Sequence, residues 1–124
     1  MLNILIVEDS RNFREFFTAD LRTRFPSSAV HEVVSAEDAL KKISDVPPHV
    51  IFSDIRLPGA TGLHLLRKVK ADYPHIKVAM ITAFDLPEYQ DASRQHGADR
   101  FFLKDSFEWT EIEEFVRSSS PHPL

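Results

Sequence analysis

The sequence predicts an α/β fold in which a doubly wound, five-stranded parallel sheet is covered by helices on both faces. Five short runs rich in Ile, Val, Leu and Phe alternate along the chain with stretches of helical periodicity. The runs are almost continuously apolar, which is typical of parallel strands buried on both faces. Each run ends at or just before a polar residue, so the carboxyl edge of the predicted sheet is polar.

The first half of the chain predicts three strands and two helices. The strands cover residues 2–7, 30–34 and 50–54. Ser10 is a suitable N-cap for the first helix, and Pro26 stops it. The phenylalanines of that helix, which we expect in the core, are Phe13, Phe16, Phe17 and Phe25. Ser35 caps the second helix, with Asp38 three residues later. The apolar face of the second helix consists of Ala36, Ala39, Leu40 and Ile43.

The second half continues the alternation. A loop with two of the three glycines leads to the third helix, which Pro74 stops. The last two strands cover residues 76–81 and 100–103. Asp85 is the expected cap of the fourth helix, and Gly97 is its C-terminal glycine. Ser106 is the expected cap of the last helix, whose inner face consists of Trp109, Ile112, Phe115 and Val116.

Size and composition restrict the function classes. The 124 residues fit one domain, which we place at residues 1–118, with residues 119–124 as a tail or the start of a linker. The absence of cysteine excludes Cys-ligated zinc, iron–sulfur clusters and a Cys nucleophile. The net charge of −4 argues against direct nucleic acid binding by this domain. No membrane span or signal peptide pattern is present, so the expected location is cytoplasmic.

Five polar side chains lie at the ends of predicted strands. Glu8 and Asp9 follow the first strand, Asp54 ends the third, Thr82 follows the fourth and Lys104 follows the fifth. Because ligands of doubly wound sheets bind outside the carboxyl ends of the strands, we expect these residues to converge. Crowded carboxylates without His or Cys suit Mg²⁺ or Mn²⁺. A divalent cation, an ammonium group and a hydroxyl together suit a phosphoryl group.

Each of these residues also has a purely structural interpretation. Asp9 beside Ser10 can cap the first helix, Asp54 can cap a turn, and Lys104 can be a surface side chain. The joint occurrence of all five residues at strand ends favours the functional interpretation.

The same stretches resemble the receiver domain of bacterial two-component response regulators. The matching stretches are residues 4–9 (Ile-Leu-Ile-Val-Glu-Asp), 54–59 (Asp-Ile-Arg-Leu-Pro-Gly) with Gly62 following, 81–83 (Ile-Thr-Ala) and 101–104 (Phe-Phe-Leu-Lys). The resemblance covers about residues 2–117. It implies a flavodoxin-like (βα)5 fold with strand order 2-1-3-4-5.

This resemblance implies that Asp54 is the phosphoacceptor, whose carboxylate attacks phosphorus in line. Asp9 and Asp54 would bind Mg²⁺ directly, Glu8 would bind it through water, and the main-chain carbonyl of Arg56 would complete the protein ligands. Such a domain accepts and slowly loses a phosphoryl group, and it is not a turnover enzyme.

The resemblance also implies a conformational switch. Lys104 would pair with the phosphoryl group, and Thr82 would hydrogen-bond to it and move toward the site. Phe101 would then rotate inward and change the surface formed by the fourth helix, fifth strand and fifth helix. Plain core packing is the alternative interpretation of Phe101.

Three nearby positions bear on how the site behaves. The family usually has Pro after the Lys, often with a cis bond, whereas Asp105 follows Lys104 here. A cis bond before a non-proline residue costs about 3–4 kcal/mol, so we expect a trans bond. The carboxylate of Asp105 can also compete with the site for pairing with Lys104.

The resemblance implies that Arg56 and Phe84 modulate hydrolysis of the aspartyl phosphate, Phe84 by blocking water and Arg56 by ordering or screening it.

The implied partners are a sensor histidine kinase or a phosphotransfer protein, and a C-terminal output domain absent from this chain. A homodimer through the face from helix four to helix five is a further option. One alternative is a stand-alone phosphorelay carrier, and another is a degenerate receiver that only mediates protein contacts. A Mg²⁺-dependent phosphohydrolase with an aspartyl-phosphate intermediate is disfavoured, because Arg56 stands where such enzymes carry a second Asp.

Overall fold

The computed structural model describes residues 1–119, in which five strands alternate with five helices. The strands are β1 (Asn3–Val7), β2 (Ala29–Val33), β3 (Val50–Ser53), β4 (Lys77–Thr82) and β5 (Arg100–Leu103). The helices are α1 (Arg11–Arg24), α2 (Ala36–Asp45), α3 (Gly62–Asp72), α4 (Pro87–Gln95) and α5 (Trp109–Ser118).

The strands form one sheet in the order β2-β1-β3-β4-β5, and every neighbouring pair is parallel. This confirms the predicted fold class and strand order. The register pairs Val7 with Ser53 and Thr82 with Leu103. The residues that follow β1 and β3 are therefore neighbours, as are those at the ends of β4 and β5.

Two apolar layers cover the sheet. On one face Ile4 and Ile6 of β1 join a cluster with residues of α1 and α5. On the other face Leu5 and Val7 join a cluster with residues of α2 and α3. Alternate side chains of one strand thus enter opposite layers, which is why the strand sequences are continuously apolar.

Strand boundaries differ from the prediction by one residue in four of the five strands. The first strand begins at Asn3 rather than residue 2, and the third ends at Ser53 rather than residue 54. The second strand is Ala29–Val33 rather than 30–34, and the fourth is Lys77–Thr82 rather than 76–81. Thr82 is therefore the last residue of β4, held in the ladder and fully buried. This fixes its backbone more firmly than a loop position would.

The predicted caps of the first two helices have different outcomes. Ser35 caps α2 as expected, because its Oγ accepts a hydrogen bond of 3.1 Å from the Asp38 amide. Ser10 occupies the N-cap position of α1, but its side chain makes no capping bond. Its amide instead donates to Glu8 Oε2 at 3.0 Å. The turn between β1 and α1 therefore holds the carboxylate of Glu8, one of the predicted site residues, with the amide of Ser10.

The predicted caps of α4 and α5 are wrong. Leu86 is the N-cap of α4, because a residue before proline avoids helical backbone angles and Pro87 suits the first helical position. Asp85 therefore lies one residue too early. Ser106 belongs to a turn, since its amide and that of Phe107 both bond to the Leu103 carbonyl oxygen. The N-cap of α5 is Glu108.

The predicted inner face of α5 and the predicted C-terminal glycine of α4 are confirmed. One phenylalanine of α1 that was predicted to lie in the core does not lie there. Ile112, Phe115 and Val116 are buried, and the partly buried Trp109 packs on them. Gly97 has a φ of +93° just past the end of α4. Phe16 is 50% exposed, so the prediction that it belongs to the core is wrong.

Within residues 1–119 no helix is both long enough and apolar enough to cross a membrane. The predicted tail at residues 119–124 lies outside the described residues except for Ser119, which is the C-cap of α5.

Gly62 is required by a close approach of two backbone segments. It begins α3, and its amide donates to the Ile55 carbonyl at 2.8 Å. A Cβ built there would overlap the carbonyl oxygen of Asp54 and lie 2.8 Å from the carbonyl carbon of that residue. The absence of a side chain at residue 62 therefore allows the turn that positions Asp54.

We predict that Gly62→Ala destabilises the protein by about 1–3 kcal/mol, because the added methyl must displace backbone. Helix propensity alone would instead favour Ala by roughly 0.5–1 kcal/mol. Urea unfolding measures the difference, with Lys68→Ala at an exposed position of the same helix as the control. A Gly62→Ala protein as stable as the wild type would contradict this account.

Candidate functional site

The sequence-predicted site residues meet at the carboxyl edge of the sheet. Glu8 and Asp9 follow β1, Asp54 follows β3, and Lys104 follows β5, while Thr82 ends β4. One carboxylate oxygen from each of the three acids lies within 4.8 Å of the other two. The predicted convergence of the three acids is therefore observed.

Asp54 is held rigidly at the centre of the group. Its amide donates to the Val7 carbonyl at 3.0 Å, which extends the β1–β3 ladder by one bond. Its Oδ1 accepts from the Ile55 amide at 2.7 Å, and its Oδ2 accepts from Lys104 Nζ at 2.8 Å. The residue is 7% exposed, so the carboxylate is fixed in place while part of it faces solvent.

Lys104 bridges two carboxylates. Its Nζ lies 2.8 Å from Glu8 Oε1 and 2.8 Å from Asp54 Oδ2. Its amide bonds to the Thr82 carbonyl at 2.8 Å, and its Nζ lies 4.8 Å from the centre of the Phe13 ring. Burial by itself would lower the pKa of Lys104, but hydrogen bonds and charge attraction from Asp54 and Glu8 outweigh it and raise the pKa. The ammonium group therefore stays charged.

Glu8 is the most deeply buried carboxylate of the site, at 1% exposed. Burial raises the pKa of Glu8, helped by the charge of Asp54, although the pairing with Lys104 opposes this. Its Oε2 accepts from the Ser10 amide, and its Oε1 is paired with the Lys104 ammonium group. Three carboxylates that cluster around a single ammonium group fit a hard divalent cation.

Thr82 and Phe101 lie on the neighbouring strands β4 and β5. Thr82 is fully buried, and its Oγ1 accepts a 3.3 Å hydrogen bond from the Phe84 amide. Phe101 is partly buried and packs against the apolar cluster on the α2 and α3 face, beside Met80 in the ladder. Phe101 therefore contributes to the apolar layer on this face of the sheet.

Arg56 and Phe84 form a contact above the site. The guanidinium carbon of Arg56 lies 3.6 Å from the centre of the Phe84 ring, and Nε donates to Tyr89 Oη at 2.8 Å. Sequence analysis missed Tyr89. It could have been found from its place in the first turn of α4, at the same edge of the sheet as the strand ends.

Asp105 does not compete for Lys104. It is exposed, and the ion pairs of Lys104 within residues 1–119 are those with Glu8 and Asp54. The Lys104–Asp105 peptide bond is trans, as expected, since the described chain contains no cis bond.

Comparison with known families gives a match over nearly the whole chain. Residues 4–117 match the response regulator receiver domain. The chain belongs to this family. The receiver domain therefore accounts for nearly the whole chain.

Curated relatives of this receiver domain include longer regulators. It is 30% identical over 104 residues to the response regulator GacA of Pseudomonas viridiflava, and the match covers 84% of this chain and 49% of GacA. It is 26% identical over 105 residues to the transcriptional regulatory protein YesN of Bacillus subtilis, covering 84% of this chain and 28% of YesN. The chain thus spans half or less of these relatives.

Solved structures share the whole receiver fold. A DNA-binding response regulator of the LuxR family from Staphylococcus aureus is 26% identical with a TM-score of 0.84, covering 96% of this chain and 98% of that one. The response regulator TrrA from Thermotoga maritima, in complex with Mg²⁺ and beryllium fluoride, is 27% identical with a TM-score of 0.83, covering 97% and 100%.

We predict that Lys104→Met lowers the free energy of unfolding by about 1–3 kcal/mol at neutral pH, because two buried carboxylates lose their charged partner. Without Lys104 the folded-state pKa of Glu8 rises further, so the destabilisation grows as pH rises through that pKa and shrinks at lower pH. Urea unfolding at several pH values measures this. Lys41→Met, at an exposed position, is the control, and equal stability of the two variants would contradict the prediction.

Proposed function

We propose that this receiver domain accepts a phosphoryl group on Asp54 from a sensor histidine kinase or a phosphotransfer protein. The observation that carries the proposal is the Asp54 carboxylate, which is fixed by two hydrogen bonds and lies next to both an ammonium group and two further acids. Phosphoryl transfer depends mainly on positioning and charge neutralisation, and this edge of the sheet offers both.

The transfer itself is an in-line displacement. A carboxylate oxygen of Asp54 forms a bond to phosphorus, the phosphorus–nitrogen bond of the donor phosphohistidine breaks, and its electron pair stays on the imidazole. Lys104 pairs with the oxygens of the transferred group, and the hydroxyl of Thr82 donates to one of them. Both side chains already lie at the edge that Asp54 occupies.

The metal requirement follows from the acids around Asp54. Glu8, Asp9, Asp54 and the main-chain carbonyl of Arg56 would hold Mg²⁺, or Mn²⁺ in its place. When bound, the ion neutralises charge on the phosphoryl oxygens during transfer. The Mg²⁺ and beryllium fluoride complex of TrrA supports this assignment.

Phosphorylation would then be read at the surface of α4, β5 and α5. Thr82 and Phe101 would link that surface to the site, since they occupy diagonal positions, two residues apart in register, on the paired strands β4 and β5. The reader would be a C-terminal output domain, consistent with the greater length of GacA and YesN, or a second copy of the domain docked on the same surface. The phosphoryl group is lost slowly by hydrolysis, without turnover of a metabolite.

We predict that a small acyl phosphate with Mg²⁺ adds one phosphoryl group, about 80 Da, to the wild type and none to Asp54→Asn. The reason is that the amide lacks the nucleophilic oxygen anion. Intact-protein mass spectrometry measures the adduct, and Asp105→Asn, a nearby exposed carboxylate, serves as the matched control that keeps it. An adduct that persists in Asp54→Asn, or rapid turnover of the donor to free phosphate, would refute the proposal.

We predict that Mg²⁺ affinity falls with decreasing pH, starting at a higher pH than for a carboxyl of ordinary pKa. The reason is that protons compete at Glu8, whose pKa is raised by burial. Calorimetric titration measures the affinity. Glu8→Gln should bind more weakly at neutral pH with a flatter profile, while Glu15→Gln on the exposed face of α1 should match the wild type. A Glu8→Gln profile that parallels the wild type would contradict this role.

A further inference from the structure

The side chain of Arg56 connects the site directly to the start of α4. The guanidinium carbon lies 3.6 Å from the centre of the Phe84 ring, and Nε donates to Tyr89 Oη, 2.8 Å away. The same carbon also lies 5.7 Å from the centre of the Tyr89 ring. One charged side chain, two residues after Asp54, thus ties the β3–α3 loop to the first turn of α4.

Helix α4 depends on this contact because little else anchors it. Ser93 is the buried residue of α4, and its Oγ lies without a hydrogen-bond partner within residues 1–119. Tyr89 is the partly buried aromatic of the helix, packed on the α2 and α3 face. A helix with so little buried apolar surface has low local stability, so one hydrogen bond at its start affects its position.

The charge of a phosphoryl group on Asp54 would compete for the same guanidinium. Phosphorylation adds about −1.5 to −2 charges near neutral pH. A planar guanidinium binds phosphoryl oxygens through two parallel hydrogen bonds, which are roughly twice as strong as neutral ones. The Tyr89 hydroxyl is a neutral acceptor. Arg56 lies two residues after Asp54, so their Cα atoms are at most about 7 Å apart. Its side chain can therefore reach either the Tyr89 hydroxyl or a phosphoryl group on Asp54.

We propose that Arg56 is a positioning residue that holds α4 when Asp54 is free and releases it when Asp54 is phosphorylated. This inference rests on the proposed function. It adds a direct contact of Arg56 with α4, through the Tyr89 hydroxyl, to the path through Thr82 and Phe101.

Hydrogen exchange of α4 peptides tests the proposal, in the full chain with and without a small acyl phosphate and Mg²⁺. In the wild type, phosphorylation should speed α4 exchange about two- to tenfold, the range expected for loss of one hydrogen bond. Tyr89→Phe keeps the ring and removes the hydroxyl. It should show the faster exchange before phosphorylation, with less than about a twofold further increase.

Two further variants test whether the effect is specific to Tyr89 and to the guanidinium group of Arg56. Tyr73→Phe, the same substitution at the other tyrosine of the chain, should keep the wild-type exchange of α4 and its response. Arg56→Lys keeps the charge but loses the planar fork, so it should show fast α4 exchange in the unphosphorylated protein.

The outcomes separate this proposal from the proposed function. A Tyr89→Phe protein with unchanged α4 exchange overturns the tether, and so does one in which exchange rises equally in both states. A wild type that gains the phosphoryl mass without a change at α4 also overturns the tether and leaves the proposed function standing. Failure of the wild type to gain that mass overturns both.

Discussion

The bridge from Lys104 to Glu8 and Asp54 is the interaction on which the rest of the site depends. Two carboxylates this deeply buried and this close would repel each other, and the ammonium group offsets that repulsion. The bridge needs the ends of β1, β3 and β5 at one edge, which the strand order provides. It also holds the Asp54 carboxylate in one position at the centre of the acidic group.

The two sides of the site are stabilised very differently. On the α1 and α5 side, Phe17 stacks on Phe13 and Trp109 at 5.4 and 5.2 Å between ring centres, and Phe52 meets it edge-on at 5.2 Å. These rings lie next to Lys104, which contacts Phe13. On the other side α4 buries one serine. The carboxyl edge of the sheet therefore has one densely packed flank and one that can move at low cost.

Much of the fold could be predicted because strand signals are local. Buried parallel strands are apolar along their whole length, and the polar residue that ends each strand marks the site, which is why Glu8, Asp54 and Lys104 were found. Helix starts were less predictable, because Asp85 and Ser106 have good capping chemistry but the chain uses neighbouring positions. Which face of a helix is covered depends on partners distant in sequence.

The same limit applies to the periphery of the site. The position of Tyr89 in the first turn of α4 places it at the right edge of the sheet, but its contact with Arg56, 33 positions away, depends on where α4 is placed. Phe16 shares the spacing of a core stripe, yet it lies at the rim, edge-on to Trp109. Contacts of this kind are set by how α1, α4 and α5 are placed on the sheet, and single-residue patterns do not report that placement.

The sparse anchoring of α4 has a consequence for the evolution of regulators built on this fold. Most positions of α4 lie outside the core, so substitutions there change the outward surface with small effects on global stability. Substitutions in this helix can thus alter the outward surface without touching the acids and the lysine at the sheet edge. The architecture keeps the surface that tolerates change apart from the charged residues of the site.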